Sequence, residues 1–279
     1  MKLGLSAWSY AAPLRRGQLD VPGFIREAKR LNVDGVELLD FFWRDREAEW
    51  PAVEAALAET GLPVGVYSVA NNFVLLDPAA RAAEIKKITD GVDDALRLGA
   101  KTVRVFGGNA DPAFTYERGL LWIIDGLKEA AAYAYERQIT LALENHGHLA
   151  GRSDQIQIIL DAVASPALKA NLDTGNFLLV HQAPHDAVAE LATRAAMCHF
   201  KDFRLVPDDY AGFAYAGVEG LKFAGTAIGE GDVDLTDCVT SLRRAGFDGW
   251  LNIEYEGEED PFAAVARSVD YTRRLLKTA

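Results

Sequence analysis

Residues 140–173 read TLALENHGHLAGRSDQIQIILDAVASPALKANLD, and this stretch decides the fold. Two short apolar segments, at 140–144 and 168–173, flank an amphipathic segment at 153–164. Short apolar runs are typical of parallel strands that are buried on both faces. Amphipathic spacing is typical of a helix that packs on such a sheet. The order strand, helix, strand therefore predicts a βαβ unit and a parallel sheet.

The same alternation extends over the whole chain. Further strands are predicted at 3–7, 35–38, 64–68, 102–106, 197–201 and 250–254, and further helices at 21–31, 79–98, 116–137, 235–245 and 261–276. Eight parallel strands are the number that closes a barrel, and the GxGxxG turn of an open dinucleotide-binding sheet is missing after the first strand. The sequence thus predicts an α/β fold, a (β/α)8 TIM barrel that forms a single domain over 1–279. The stretch 203–234 is expected to be a long irregular loop with a binding role.

Composition narrows the classes of partner. The 279 residues carry a formal net charge of −12, so long-range attraction to nucleic acid or to an anionic membrane is weak. The two cysteines, Cys198 and Cys238, have no CxxC spacing and suit a reducing compartment. Because the sequence shows neither a signal peptide nor an apolar run of transmembrane length, we expect a cytoplasmic protein that binds neither nucleic acid nor membranes.

Four consecutive predicted strands end in residues that bind metals. These residues are Glu144, Asp173, His199 and Glu254. In a parallel barrel the carboxyl ends of all strands meet at one rim, so the four side chains should face one another. Three carboxylates in one place would repel each other unless a cation lay between them. The set therefore predicts a site for one divalent ion, with Mn2+, Mg2+, Co2+, Fe2+ and Zn2+ as candidates. Each glutamate alone could equally be a salt-bridge partner at the end of its strand.

Four motifs around these residues resemble a known family. The motifs ALENH (142–146), LDTGN (172–176), HFKD (199–202) and NIEYEG (252–257) are similar to those of the sugar-phosphate isomerase/epimerase family of xylose isomerase-like barrels. The resemblance covers essentially the whole chain. It implies that Glu144, Asp173, His199 and Glu254 bind one metal, commonly manganese. It also implies that the two glutamates act as acid and base on opposite faces of a sugar, through a metal-stabilised enediolate.

Two positions depart from the pattern of the ketose 3-epimerases in that family. Asn176 and Leu205 stand where those enzymes usually carry a histidine and an arginine. His146, two residues after Glu144, resembles instead the histidine of family members that act on 3-keto-glycosides, where it is thought to be the base. Lys201 follows His199 by two residues and should point to the same side of its strand. There it would stabilise a developing oxyanion or simply pair with a carboxylate.

The sequence leaves four functions to compare. The first is an isomerase or epimerase of a sugar or keto-sugar, and the second is a lyase on a 3-keto-glycoside or inosose that shares the same enediolate chemistry. Phosphodiester hydrolysis is disfavoured, because only five histidines are present and the chain is acidic. The last is a non-catalytic sugar-binding barrel or a subunit that needs a partner chain. A homo-oligomer would be common in the resembling family.

Overall fold

The computed structural model describes residues 1–278, which contain eleven strands and ten α-helices. The strands are β1 (Lys2–Ser6), β2 (Gly35–Leu39), β3 (Val64–Ser68), β4 (Thr102–Val105), β5 (Thr140–Glu144), β6 (Leu168–Asp173), β7 (Ala195–Phe200), β8 (Phe203–Val206), β9 (Tyr215–Ala216), β10 (Lys222–Gly225) and β11 (Trp250–Ile253). The helices are α1 (Ala11–Arg15), α2 (Val21–Arg30), α3 (Arg46–Thr60), α4 (Pro78–Leu98), α5 (Tyr116–Glu136), α6 (Ser153–Val163), α7 (Asn176–Leu179), α8 (Pro184–Leu191), α9 (Leu235–Arg244) and α10 (Pro261–Thr278).

Eight of the strands close into a parallel barrel. Its order is β1-β11-β7-β6-β5-β4-β3-β2, and β1 closes the ring by pairing with both β2 and β11. The predicted (β/α)8 TIM barrel is therefore confirmed, with strand ends that differ from the predicted ones by at most two residues. Because every strand runs in the same direction, all eight carboxyl ends lie at one rim.

Trp250 fills the opposite, N-terminal end of the barrel interior. Its indole lies so close to β3 that a Cβ atom at Gly65 would come within 2.3 Å of the ring. A smaller inner cluster of Val66, Ala142 and Met197 packs against Trp250. The packed interior fixes the strands, so side chains at the carboxyl rim are held by a rigid frame.

The stretch 203–234 is more regular than predicted. Strands β8, β10 and β9 form an antiparallel sheet of three strands next to the rim, with Phe223 opposite Leu205 and Tyr215. The expectation of a long irregular loop was therefore wrong for this part. The three strands are two to four residues long, and such short segments leave little periodic signal in a sequence. The sequence indicates a helix that ends at Gly61, and α3 confirms it with Gly61 in the left-handed conformation after its last residue. No bounds were predicted for α3 or α8, since α3 contains Pro51 and α8 has only eight residues.

None of the helices in the described part of the chain combines the length and the apolar character needed to cross a bilayer.

Candidate metal centre and active site

Four side chains converge at the carboxyl rim of the barrel. Glu144, Asp173, His199 and Glu254 each offer one ligand atom, and these atoms all lie within 4.8 Å of one another. All four side chains are buried, with at most 4% of any residue exposed. The strand ends thus bring together the four residues that the sequence singled out, in a geometry that could hold a divalent ion.

Asp173 offers a free acceptor to such an ion. Its Oδ1 accepts hydrogen bonds from the backbone N–H groups of Gly175, at 3.0 Å, and Asn176, at 2.9 Å. Its Oδ2 is buried and accepts no hydrogen bond of good geometry within residues 1–278, although Lys201 Nζ lies 2.8 Å away. Because buried polar atoms nearly always accept well-aligned hydrogen bonds, this oxygen and the mixed carboxylate and imidazole donors fit a bound cation.

His199 presents one nitrogen to the carboxylates and the other to Glu37. Its Nδ1 lies 3.1 Å from Glu144 Oε2 and 3.4 Å from Glu254 Oε2. Its Nε2 lies 3.0 Å from both carboxylate oxygens of Glu37, which is fully buried. A carboxylate at Nε2 keeps a proton on that nitrogen and leaves the Nδ1 lone pair for a metal.

The sequence reasoning did not assign a role to Glu37. Ser68 Oγ, at 2.5 Å, and Asn252 Nδ2, at 2.8 Å, donate to its two oxygens and hold the carboxylate in place. The available signal was a single charged residue inside the apolar strand β2, which reads GVELL. A buried charge in such a strand needs partners, and these come from β3, β7 and β11.

We expect Glu37→Gln to weaken binding of Mn2+ by about 10- to 100-fold, the usual cost of losing an outer carboxylate partner of a ligating histidine. Glutamine replaces one acceptor oxygen of Glu37 by an N–H donor. The side chain then no longer selects the His199 tautomer whose Nδ1 is free. Isothermal titration calorimetry measures the dissociation constant. Glu84→Gln is the matched control, since Glu84 lies near the same rim but pairs with Lys87. An unchanged dissociation constant for Glu37→Gln would contradict this role.

Glu144 is held by two amides and an arginine. Asn171 Nδ2 donates to Oε2 at 3.0 Å, and Asn176 Nδ2 donates to Oε1 at 3.3 Å. The Nε of Arg104 lies 3.3 Å from Oε2. Asn176, which departs from the ketose 3-epimerase pattern, therefore has a positioning role here. Leu205, the other departure, is half exposed on β8.

The environments of Glu144 and Glu254 push their pKa values apart. Burial acts to raise the pKa of Glu144, but His199 and Arg104 outweigh it and hold the pKa below its ordinary value. Burial raises the pKa of Glu254 to about 8, against the opposing charges of His199 and Lys201. Two carboxylates whose pKa values diverge in one site are typical of an acid and base pair.

Lys201 lies among the carboxylates. Its Nζ is 2.7 Å from Glu254 Oε2, 2.8 Å from Asp173 Oδ2 and 3.2 Å from Glu256 Oε1. The side chain is almost fully buried. Burial acts to lower its pKa, but Asp173, Glu254 and Glu256 outweigh this and raise it well above the ordinary value. Lys201 is therefore an ammonium ion that both pairs with carboxylates, one of the two predicted roles, and faces the candidate site.

Metal binding should depend steeply on pH. Burial acts to lower the pKa of His199, but Glu254, Glu37 and Glu144 raise it well above the ordinary value. In the metal-free protein both His199 and Glu254 therefore carry protons at pH 7, and an incoming ion must displace these protons. We expect the dissociation constant for Mn2+ to fall about tenfold per pH unit for each displaced proton, until the pH passes the pKa of Glu254 near 8.

Calorimetry in two buffers of different ionisation enthalpy would count the released protons. At least one proton per ion is expected at pH 7, and a dissociation constant that does not change between pH 6 and pH 8 would contradict the prediction.

A cavity of about 510 Å³ opens onto these residues. Trp8, Phe41, Phe106 and His146 form its aromatic walls, and Glu144, Lys201, Glu254 and Glu256 are among its polar residues. We call it the site cavity. The imidazole of the half-buried His146 lies 4.8 Å from the Phe106 ring, centroid to centroid. The structure thus places His146 and Lys201 in the same cavity as the two glutamates, with a volume suited to a small molecule.

Comparison with known proteins gives relatives among enzymes of sugars and sugar acids. The L-ribulose-5-phosphate 3-epimerase UlaE of Salmonella paratyphi C is 25% identical over 269 residues, 91% of this chain and 89% of that protein. The 3-oxo-isoapionate decarboxylase of Pectobacterium atrosepticum is 26% identical over 172 residues, but the match covers only 58% of its length and 61% of this chain. The crystal structure of the 3-keto-D-glucoside 4-epimerase YcjR from E. coli superposes with a TM-score of 0.76 at 16% identity, over 98% of this chain and 99% of that one.

The family model described as xylose isomerase-like TIM barrel matches residues 25–275. This span contains the four convergent residues and all but the first of the barrel strands. The chain belongs to the family of xylose isomerase-like TIM barrels.

Proposed function

We propose that the protein is a divalent-metal-dependent isomerase or epimerase of a sugar or keto-sugar. The observation that carries this proposal is the presence of Glu144 and Glu254 in one buried site that opens to the same cavity. Removal of a proton next to a carbonyl group needs a base, an acid and a charge that stabilises the enediolate. This cavity offers all three.

Glu144, Asp173, His199 and Glu254 would hold the ion, for which Mn2+ is the expected metal and Mg2+, Co2+, Zn2+ and Fe2+ are alternatives. When bound, a divalent ion supplies Lewis acidity to a carbonyl and a neighbouring hydroxyl oxygen of the substrate. Asn171, Asn176 and Glu37 orient Glu144 and His199 for this purpose through the hydrogen bonds described above.

The two glutamates have different positions relative to a substrate. In the barrel, β6 and β7 separate β5, which ends in Glu144, from β11, which precedes Glu254. The carboxylates therefore approach a bound sugar from different sides. In the proposed reaction one glutamate takes the proton from the carbon next to the carbonyl and the other returns a proton. The Lys201 ammonium stabilises the oxyanion that develops between these steps.

Return of the proton to the opposite face of the same carbon gives an epimer, and return to the neighbouring carbon gives an isomer. The epimerase activities named for two of the relatives support proton transfer at a carbon next to a carbonyl. The expected partner is thus a small sugar, with nucleic acid and membranes not expected. Cytoplasmic location and homo-oligomer formation stay predictions from the sequence.

Proton exchange tests this function directly. The protein is incubated with Mn2+ in D2O together with a set of ketoses and keto-sugars, and NMR follows the loss of the signal at the carbon next to the carbonyl. We expect exchange with at least one substrate, at a rate that falls when EDTA removes the metal. Absence of exchange with every sugar, in a protein shown to contain metal, would overturn the proposal.

A lyase acting on a 3-keto-glycoside or inosose is the second candidate, and His146 favours it. The imidazole lines the site cavity together with Glu144, and histidine is a common general base in enzymes. Loss of a leaving group after the same proton removal would give an unsaturated product instead of an epimer. Mass spectrometry of the products of a 3-keto-glycoside separates the two, because elimination splits the substrate and epimerisation preserves its mass.

A further inference from the structure

Charged residues of both signs line the site cavity in equal number. Four basic side chains, Arg15, Lys87, Arg104 and Lys201, face four acidic ones, Glu84, Glu144, Glu254 and Glu256. The way in which these charges pair decides which of them remains available to a ligand.

Three of the four basic groups already have acidic partners. Lys87 Nζ lies 2.8 Å from Glu84, and Arg104 Nε lies 3.3 Å from Glu144. Lys201 contacts Glu254 and Glu256, as described above. Arg15 differs, since no salt bridge joins it to any carboxylate of the part of the chain that the structure describes. Its guanidinium instead stacks on the Trp8 ring, 4.7 Å from the centroid.

Trp8 connects Arg15 with the candidate metal site. Its Nε1 donates to Glu256 Oε1 at 2.5 Å, and the same oxygen lies 3.2 Å from Lys201 Nζ. A chain of contacts through Trp8, Glu256 and Lys201 therefore links Arg15 to the candidate metal ligands. Arg15 also lines a second cavity of about 560 Å³, the side cavity, which shares Trp8 and Glu256 with the site cavity. Arg15 lines both cavities and is exposed, so its side chain lies where the two cavities meet.

We infer that Arg15 binds an anionic group of the substrate, a carboxylate or a phosphate ester, at the end remote from the metal. This inference rests on the proposed function. The guanidinium presents N–H donors in a planar fork that matches both anions, and it stacks on the Trp8 ring. The chain has a net charge of −12, so long-range attraction does not draw an anion to the protein and local donors must bind it. Arg15, which has no carboxylate partner among the described residues, is the group that selects an anionic substrate.

Three sugars on one carbon skeleton test the inference. D-Fructose, D-fructose 6-phosphate and D-fructuronate differ at the sixth carbon, which is neutral, phosphorylated or oxidised to a carboxylate. Calorimetry with each sugar in the presence of Mn2+ compares the wild-type protein, Arg15→Gln and Arg16→Gln. Arg16 is the matched control, because it neighbours Arg15 but lines the side cavity alone.

We expect the wild type to bind one anionic sugar about 10- to 100-fold more tightly than D-fructose, as for a charge-assisted hydrogen bond. The preferred sugar shows whether the anion is a phosphate or a carboxylate. Arg15→Gln should abolish the preference, and Arg16→Gln should retain it.

Equal binding of all three sugars to the wild type would overturn the inference. A preference that survives in Arg15→Gln would also overturn it, because the anion would then bind elsewhere, for instance to the metal. Proton exchange on D-fructose or another neutral sugar separates this failure from that of the proposed function. Normal exchange without an anion preference overturns the role of Arg15 alone, whereas exchange on no sugar overturns both.

Discussion

The double variant Asp173→Ala, Glu254→Ala is expected to lose its bound metal and to exchange substrate protons at least about 10³-fold more slowly than the wild type. The two substitutions leave Glu144 and His199 as the remaining members of the ligand set. Two protein ligands are too few to compete with water for a divalent ion. Metal analysis of the purified protein and proton exchange followed by NMR measure the two effects.

The control for this variant is Glu84→Ala. Glu84 lies at the same cavity but pairs with Lys87, outside the ligand set. It should retain metal and exchange rate, and circular dichroism should show that both variants are folded. A wild-type protein that stays free of metal after incubation with excess Mn2+ would contradict the metal-dependent mechanism, and the barrel would then be a sugar-binding scaffold or a partner subunit.

The ligand set could be predicted because each member is tied to the end of a strand. The apolar runs that end in Glu144 and Asp173 locate the ends of those strands, and a parallel barrel brings all carboxyl ends to one rim. The local apolar pattern and the barrel topology thus both place Glu144 and Asp173 at the carboxyl rim. His199 follows the same rule, since it lies near the end of β7.

Glu37 could not be assigned in this way, because its partner lies 162 positions away in the sequence. Only closure of the barrel brings β2 and β7 to the same interior, and side-chain rotamers then decide which groups meet. The partners of Lys201 pose the same problem. The sequence left pairing and oxyanion stabilisation as alternatives, and the structure brings Glu254 and Glu256 to the ammonium from the segment that follows β11.

Lys201→Met is expected to lower the free energy of unfolding by about 3–5 kcal/mol in protein treated with EDTA, the usual cost of breaking a buried ion pair. Methionine fills much of the volume of lysine but leaves Asp173, Glu254 and Glu256 without their ammonium. Urea unfolding measures the loss. Lys87→Met is the matched control: Lys87 is half exposed, and its pair with Glu84 should contribute less than about 1 kcal/mol.

The dependence of this loss on metal tests the electrostatic argument. Asp173 and Glu254 belong both to the candidate ligand set and to the carboxylates around Lys201. At a pH above the pKa of Glu254, near 8, where that carboxyl group is ionised, a divalent ion therefore neutralises two of the three charges that the substitution leaves unpaired. The destabilisation should then be smaller with Mn2+ than with EDTA. An equal loss under both conditions would mean that Lys201 stabilises the fold by packing and not by charge. In that case we would no longer assign oxyanion stabilisation to Lys201. Stabilisation of the fold by charge and stabilisation of an oxyanion both depend on the same ammonium among the same carboxylates.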